Sequence, residues 1–302
     1  VEVIMPLGSD PHDFAPSARQ AEAMEQADLL VVNGVGFEEG MAAIIENAQD
    51  AGTPTFTFAD HVELIELTGV GDEHADEEHT DEEHADEGDE HAGDEDEHGD
   101  EEHADEGDEH AGDEDGDEEH GHADGSTDPH IFTDPARMAA ALGALGERLG
   151  QLEGIDTDAL RATLDGYVDE LDAVDAEIEA ALAPVADHDR RLVTNHEVFG
   201  YFADRYDFDV VGAVVPSLTT NAQASAADIT TLADVVRDTG VPAIFADNTQ
   251  STQLAEALAD EVGGNVEVVE LFSESLGEPG SGGETYLEMM RTNAVRIAAA
   301  LT

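Results

Sequence analysis

The segment "VPAIFADNTQSTQLAEALADEVGGNVEVVELF" at residues 241–272 alternates two apolar runs with one longer amphipathic stretch. The runs at 241–247 and 266–272 are short and apolar, which predicts a strand at each. The stretch between them, 251–262, predicts a helix. Strands that alternate with helices are typical of parallel sheets, so this segment predicts an α/β fold.

The same alternation continues on both sides of this unit. Before it, strands are predicted at 191–196 and 208–215, and each is followed by a helix, at 198–206 and 225–239. After it, a Gly-rich loop leads to a last helix at 284–301. The second half of the chain therefore predicts one lobe with a parallel sheet.

The first part of the chain shows a shorter version of this alternation. The apolar run "VEVIMPLG" at 1–8 predicts a buried strand, and further strands are predicted at 28–34 and at the start of 53–67. Helices at 16–27 and 38–52 separate these strands. We therefore expect a second α/β lobe at this end of the chain.

One long helix is predicted between the two lobes, at about 157–183. Its apolar positions recur by threes and fours, which is the period of a helix: they are Leu160, Leu164, Tyr167, Val168, Leu171, Val174, Ile178 and Leu182. A helix of this length spans roughly 40 Å, which suits a rod that joins two lobes. The predicted organisation is an N-terminal lobe at 1–150, a linking helix at 151–184 and a C-terminal lobe at 185–302. A shorter helix, begun by Pro135, precedes the rod.

Residues 71–124 interrupt the N-terminal lobe. The sequence "DEEHADEGDEHAGDED" at 81–96 recurs letter for letter at 100–115, and the segment has no apolar periodicity. It predicts a disordered acidic insertion. Nine histidines within it are candidates for weak, accessory metal capture: His74, His79, His84, His91, His98, His103, His110, His120 and His122. The alternative is an acidic tract that keeps the protein solvated in salt and contains histidines only by chance.

The charge of the chain is extreme. The formal net charge is −65, and all 10 basic residues are Arg. The insertion holds 30 of the 75 acidic residues, so the rest of the chain is also strongly acidic. Salt at about 1 M shortens the Debye length to roughly 3 Å and screens this repulsion, so we expect a protein from a salt-adapted organism. Because no basic patch can form, nucleic acid is excluded as a partner.

Other compositional features narrow the chemistry further. The chain has no Cys, which excludes disulfides, thiolate metal ligands and a catalytic cysteine. No apolar run reaches 18 residues, the length that would predict a membrane span.

Three histidines outside the insertion occupy similar local positions. His12 follows the first predicted strand, His130 precedes a helix, and His196 ends the strand "RLVTNH". Ligands of open α/β sheets gather outside the carboxyl ends of strands, and Glu274 also follows a strand. Three imidazoles and one carboxylate suit Zn²⁺ or Mn²⁺. The alternatives are structural histidines at strand ends, and Asp247 rather than Glu274 as the acid.

Local turns are a second feature of these motifs. Asp10 and Asp128 each stand two residues before a candidate ligand histidine. Either aspartate can orient its turn or hydrogen-bond to the imidazole.

The chain resembles the substrate-binding component of zinc and manganese ABC importers, the ZnuA/TroA-like metal receptors. The matching stretches occur in family order: "PLGSDPHDFAPS" (6–17), "ADLLVVNGVGFE" (27–38), "DPHIFTDP" (128–135), "VTNHEVFGYFADRY" (193–206), "IFADNTQS" (244–251) and "LFSESLGEPGSGGETYLEMMRTN" (271–293). They cover nearly the whole chain outside the insertion. "DPHIFTDP" together with "VTNHEVFGYF" is the most specific part.

The resemblance implies a fold, a site and a role. It implies two lobes with the metal between them, and it places ligands at His12, His130 and His196, with Glu274 where relatives have Asp. A histidine at the third position and a His-rich loop favour Zn²⁺, with Mn²⁺ as the alternative. The implied role is that of a monomeric, extracytoplasmic receptor that delivers the ion to an ABC transporter permease. Relatives begin with a further strand, helix and membrane anchor, which we expect in a segment that precedes this chain.

Two other classes of function remain open from the residues. A zinc hydrolase would need an open coordination position and a nearby general base, and the chain has no HExxH pair. A metal buffer would act mainly through the insertion, with many weak sites. The favoured interpretation is a receptor and not an enzyme.

Overall fold

The computed structural model describes residues 1–66, 127–222, 224–264 and 266–302, so the prediction for 71–124 lies outside the described residues. The helices are α1 (Ala18–Glu25), α2 (Ala42–Asp50), α3 (Pro135–Leu149), α4 (Thr157–Leu182), α5 (Gly200–Tyr206), α6 (Ala226–Thr239), α7 (Gln253–Val262) and α8 (Tyr286–Leu301). The strands are β1 (Leu30–Val32), β2 (Thr55–Thr57), β3 (Arg191–Thr194), β4 (Asp209–Ala213), β5 (Ala243–Asp247) and β6 (Glu267–Leu271).

The C-terminal lobe is built on a parallel sheet with strand order β4-β3-β5-β6. The strand–helix–strand unit predicted at 241–272 is confirmed, since β5 and β6 pair in parallel and α7 connects them. Every residue of β5 is buried, as expected for a parallel sheet that is covered on both faces. Helices α5 and α8 contribute to one apolar cluster and α6 and α7 to another.

The N-terminal lobe contains the parallel pair β1 and β2. Its small core includes Met24 of α1, Leu30 of β1 and Ala48 of α2. The two-lobe α/β architecture with parallel sheets agrees with the fold class that the sequence predicts.

The prediction of a buried strand at 1–8 is wrong. These residues form bends and turns without strand pairing, and Val1 and Val3 are exposed. Only Ile4 of this run packs against the core of the N-terminal lobe. An apolar run becomes a strand only where a neighbouring backbone accepts and donates its hydrogen bonds. Among the described residues, β1 pairs with β2 alone.

The long helix α4 is present close to its predicted bounds. Its 26 residues begin after Asp156, whose carboxylate accepts hydrogen bonds from the backbone N–H groups of Asp158 and Ala159. This capping satisfies donors that the first turn of a helix leaves free. Four residues of the predicted apolar stripe are fully buried: Leu171, Val174, Ile178 and Leu182. The helix packs against α3, the helix that precedes it, and against α8, the last helix of the chain.

No helix in the part of the chain that the structure describes is both long enough and apolar enough to cross a membrane.

Candidate metal centre

The structure brings together the four side chains that the sequence singled out. One ligand atom from each of His12, His130, His196 and Glu274 lies within 4.8 Å of the others. His196 follows β3 by two residues and Glu274 follows β6 by three, so the sheet of the C-terminal lobe presents both at its carboxyl edge. His12 lies in a turn at the start of the chain, and His130 directly precedes a short helical turn. All three imidazoles are buried.

One carboxylate oxygen is the common neighbour of the three imidazoles. Glu274 Oε1 lies 2.8 Å from His12 Nε2, 3.2 Å from His196 Nε2 and 3.4 Å from His130 Nε2. Ligand bonds of about 2.0–2.1 Å in a tetrahedral zinc site place neighbouring ligand atoms roughly 3.3 Å apart. The three imidazoles and the carboxylate therefore have the chemistry and the spacing to hold one divalent ion.

Asp128 fixes the orientation of His130. Its Oδ1 accepts hydrogen bonds from the backbone N–H of His130 and from His130 Nδ1, each at 2.8 Å. A proton on Nδ1 leaves the lone pair of Nε2 free to bind a metal. The expectation that Asp128 orients its turn and its imidazole agrees with this geometry.

Asp10 behaves differently, although it also precedes a histidine by two residues. Its Oδ1 accepts a hydrogen bond from the backbone N–H of His12 at 2.9 Å. His12 Nδ1 has no hydrogen-bond partner among the described residues. Asp10 thus orients the turn and does not contact the ring.

Asp247 is not part of the cluster of four. Its Oδ2 lies 3.5 Å from His196 Nδ1, behind the nitrogen that faces Glu274. Burial and the charge of Glu274 raise the pKa of Asp247 to about 6. Its place beside the ring makes it a neighbour of a ligand candidate rather than the fourth ligand.

The charges of the cluster compensate one another. Burial disfavours ionisation of Glu274, but hydrogen bonds from the three imidazoles hold the pKa of its carboxyl well below the ordinary value. Burial lowers the pKa of His130, but hydrogen bonds to Asp128 and Glu274 outweigh it and raise that pKa to about 9. In the absence of metal, the proton on His130 balances buried carboxylates.

We expect metal affinity to rise with pH up to about 9, where the raised pKa of His130 lies. Below that pH, a proton must leave His130 before Nε2 can bind, so each pH unit lost weakens binding by about tenfold per proton released. Glu274 stays ionised in this range and adds no slope. Dissociation constants at about pH 6.5, 7.5 and 8.5, at constant salt, measure this slope. A constant affinity across these values would contradict it.

Sequence reasoning missed two aromatic side chains, one packed against the ligand rings and one that holds the segment of Asp128. Phe37 lies edge-on to His12 and His130, with ring centroids 5.6 Å and 5.9 Å apart. Tyr201 is fully buried, and its hydroxyl donates to the backbone O of Asp128 and accepts from the backbone N–H of Ile65. Both lie in quoted motifs, "VNGVGFE" and "VFGYF", which was the only sequence signal for them. The apolar ring of Phe37 excludes water and strengthens electrostatic interactions at the site. Tyr201 acts through its hydroxyl, which holds the backbone of Asp128.

Comparison with known proteins gives a consistent picture. A family model described as zinc-uptake complex component A, periplasmic, matches residues 1–300. The manganese-binding lipoprotein MntA of Halalkalibacterium halodurans is 22% identical over 306 residues, which cover 100% of this chain and 81% of that protein. The zinc-binding protein TroA of Treponema pallidum is 33% identical over 178 residues, or 58% of this chain and 57% of that protein.

Solved structures share the fold. The periplasmic zinc-binding protein TroA of Treponema pallidum aligns with a TM-score of 0.74 and 25% identity, over 99% of this chain and 89% of that one. The Mn-bound periplasmic metal-binding protein of Candidatus Liberibacter asiaticus aligns with a TM-score of 0.70 and 17% identity, over 99% and 90%. Because the family model matches nearly the whole chain, this chain belongs to the ZnuA family, the divalent-metal receptors of ABC transporters, which are not enzymes.

Proposed function

We propose that this protein is an extracytoplasmic receptor that captures Zn²⁺ and delivers it to an ABC import permease. The observation that carries the proposal is the convergence of three buried imidazoles and one buried carboxylate oxygen. His12, His130, His196 and Glu274 are the proposed ligands. Four protein ligands leave no open position on a tetrahedral ion, which suits carriage rather than catalysis.

The donor set supports zinc over manganese. Imidazole nitrogen suits Zn²⁺, whereas Mn²⁺ favours sites that are rich in oxygen. Glu274 faces the three rings through a single oxygen, Oε1.

A manganese receptor is the second candidate, and one observation favours it. Glu274 Oε2 is buried and has no hydrogen-bond partner among the described residues. It is free to become a further oxygen ligand, which would suit an ion of higher coordination number. The relative MntA, which matches along the whole of this chain, is named for manganese.

The insertion has a separate proposed role. We assign its nine histidines, from His74 to His122, to weak accessory capture of metal. The residues that flank it support this assignment, since Glu66 and Thr127 pair directly and His130 follows Thr127 by three residues. The chain therefore leaves and re-enters the lobe next to a proposed ligand.

The surroundings of the protein are also part of the proposal. We infer a salt-rich location outside the cytoplasm, with a membrane anchor supplied by a segment not present in this chain. The acidic excess supports high salt, because 45 acidic residues outside 71–124 face only 10 Arg. Relatives named as lipoproteins support the anchor.

The test is a competition titration with Zn²⁺ and Mn²⁺ at about 1 M NaCl, where charge repulsion is screened. We expect one tight zinc per chain that a roughly 100-fold excess of Mn²⁺ does not displace. Displacement at that excess would favour the manganese receptor.

A variant without 71–124 tests whether the protein acts as a receptor or as a metal buffer. Because Glu66 and Thr127 are paired, a short turn can close the gap. We expect this variant to keep the tight site and to lose only weak ones. Loss of the tight site would favour the buffer.

A further inference from the structure

A set of polar contacts joins the two lobes beside the proposed metal ligands. Asp10, in the N-terminal turn that carries His12, accepts two hydrogen bonds on Oδ2 from the C-terminal lobe. The donors are Thr220 Oγ1 in the loop after β4 and Gln250 Nε2 in the loop after β5, each at 2.5 Å. Asp10 therefore contacts both lobes at once.

A second group of contacts lies next to the first. Asn221 Nδ2 donates to the backbone O of His12 at 3.1 Å and to Glu39 Oε2 at 2.9 Å. Thr219 Oγ1 donates to the same Glu39 oxygen at 2.8 Å. We call the whole set the clasp: Asp10, Glu39, Thr219, Thr220, Asn221 and Gln250.

The chemistry of the clasp is one-sided. The N-terminal lobe supplies only acceptors, two carboxylates and a backbone carbonyl, and the C-terminal lobe supplies only neutral hydroxyl and amide donors. Neither Asp10 nor Glu39 forms an ion pair within the part of the chain described here. Bonds between a carboxylate and a neutral donor are stronger than neutral ones, and they lose less to salt than an ion pair of two exposed charges.

The clasp lies beside the proposed ligands, which must separate when the metal is released. His12 belongs to the N-terminal lobe, while His196 and Glu274 belong to the C-terminal lobe. A movement that separates the lobes at His12 takes the turn of His12 away from the loops after β4 and β5. Since Asp10 and the carbonyl of His12 are both held by those loops, the clasp bonds break in the same movement.

We propose that the clasp holds the lobes together over the bound ion and sets the rate at which the ion is released. This inference rests on the proposed function as a metal receptor. Its members are positioning residues, because they act on the turn of His12 and make no contact with the ion. The four proposed ligands set the coordination, and the clasp sets how long the closed state lasts.

The test removes the cross-lobe donors and leaves the Asp10–His12 turn intact. Thr220→Val and Gln250→Leu, alone and combined, are compared with the wild type for zinc release into excess chelator. We expect about 3- to 10-fold faster release for each single variant and roughly 10- to 100-fold for the double variant, from the usual net loss per intramolecular hydrogen bond. Unchanged release in the double variant would overturn the proposal.

Matched variants exclude a general structural effect. Thr230→Val is the control, because Thr230 Oγ1 donates only within its own helix, to the backbone O of Ala226, and we expect wild-type release. Thr220→Ser keeps the hydroxyl and should also release metal at the wild-type rate. Fast release from Thr220→Ser would contradict the role of the Thr220 hydroxyl. Fast release from Thr230→Val would mean that the effect is not specific to the clasp.

The absorption spectrum of the Co²⁺-loaded protein distinguishes the two proposals. We expect the same spectrum in the wild type and in the clasp variants, because the ligands are unchanged. A spectrum that changes in the variants would mean that the clasp acts on coordination, which overturns the inference. If the wild type bound no metal tightly, or bound it without imidazole ligands, the proposed function itself would be wrong. If the variants bound metal tightly and released it at the wild-type rate, only the proposed role of the clasp would be wrong.

Discussion

Replacing His130 by alanine is expected to weaken zinc binding by about 100- to 1,000-fold. Structural zinc sites bind with about 10–16 kcal/mol in total, or roughly 2.5–4 kcal/mol for each of four ligands. His130 is completely buried, so the substitution removes a ligand from the closed part of the site. The substitution also removes the imidazole that Asp128 holds at 2.8 Å and leaves its buried carboxylate with fewer hydrogen bonds, which is costly.

A competition titration against a chromophoric chelator at molar salt measures this effect. His188→Ala is the matched control, since its side chain is 80% exposed and lies away from the cluster. We expect the control to bind zinc as the wild type does. If His130→Ala kept one tight zinc per chain, the ligand assignment would be wrong.

Replacing Ile178 by alanine is expected to lower the free energy of unfolding by about 2–5 kcal/mol. Ile178 lies in α4 with none of its surface exposed. It belongs to the same apolar cluster as Phe202 of α5 and Ile297 of α8. The lost side chain leaves a cavity that helices fixed on several sides cannot close, so the cost combines lost burial and lost packing.

Urea denaturation at a fixed molar salt concentration measures this loss. Ile155→Ala is the control, because Ile155 is 42% exposed just before α4, and we expect a change of no more than about 0.5 kcal/mol. Zinc at about 100 times its dissociation constant should add roughly 2.7 kcal/mol to both variants, because neither residue is a proposed ligand. Equal stability of the two variants would contradict the predicted packing role.

The sequence predicted the regular elements well where local forces decide them. The apolar stripe of α4 has the helical period, and Asp134 and Pro135 begin α3 by capping and by the fixed backbone angle of proline. The unit at 241–272 alternates in the way that parallel strands require. The prediction failed at 1–8, because a strand depends on a neighbour that the run itself does not specify.

The site was only partly predictable from the residues. Spacing left His12, His130 and His196 as three histidines at strand ends or before a helix, and their association came from a family resemblance. Neither the distances to Glu274 Oε1 nor the contacts of Phe37 and Tyr201 can be read from the sequence, since they depend on contacts between distant parts of the chain.

The tripeptide "DPH" occurs twice, at 10–12 and 128–130. Its two copies show which contacts follow from local sequence and which depend on tertiary structure. In both copies the aspartate Oδ1 accepts a hydrogen bond from the backbone N–H of the histidine, because that bond is local. The remaining contacts differ. Asp128 also holds the ring of His130, whereas Asp10 reaches Thr220 and Gln250, more than 200 residues away. The sequence determined the turn and the ligand type, and only tertiary structure decided which neighbours complete each aspartate, because those neighbours come from other elements of the fold.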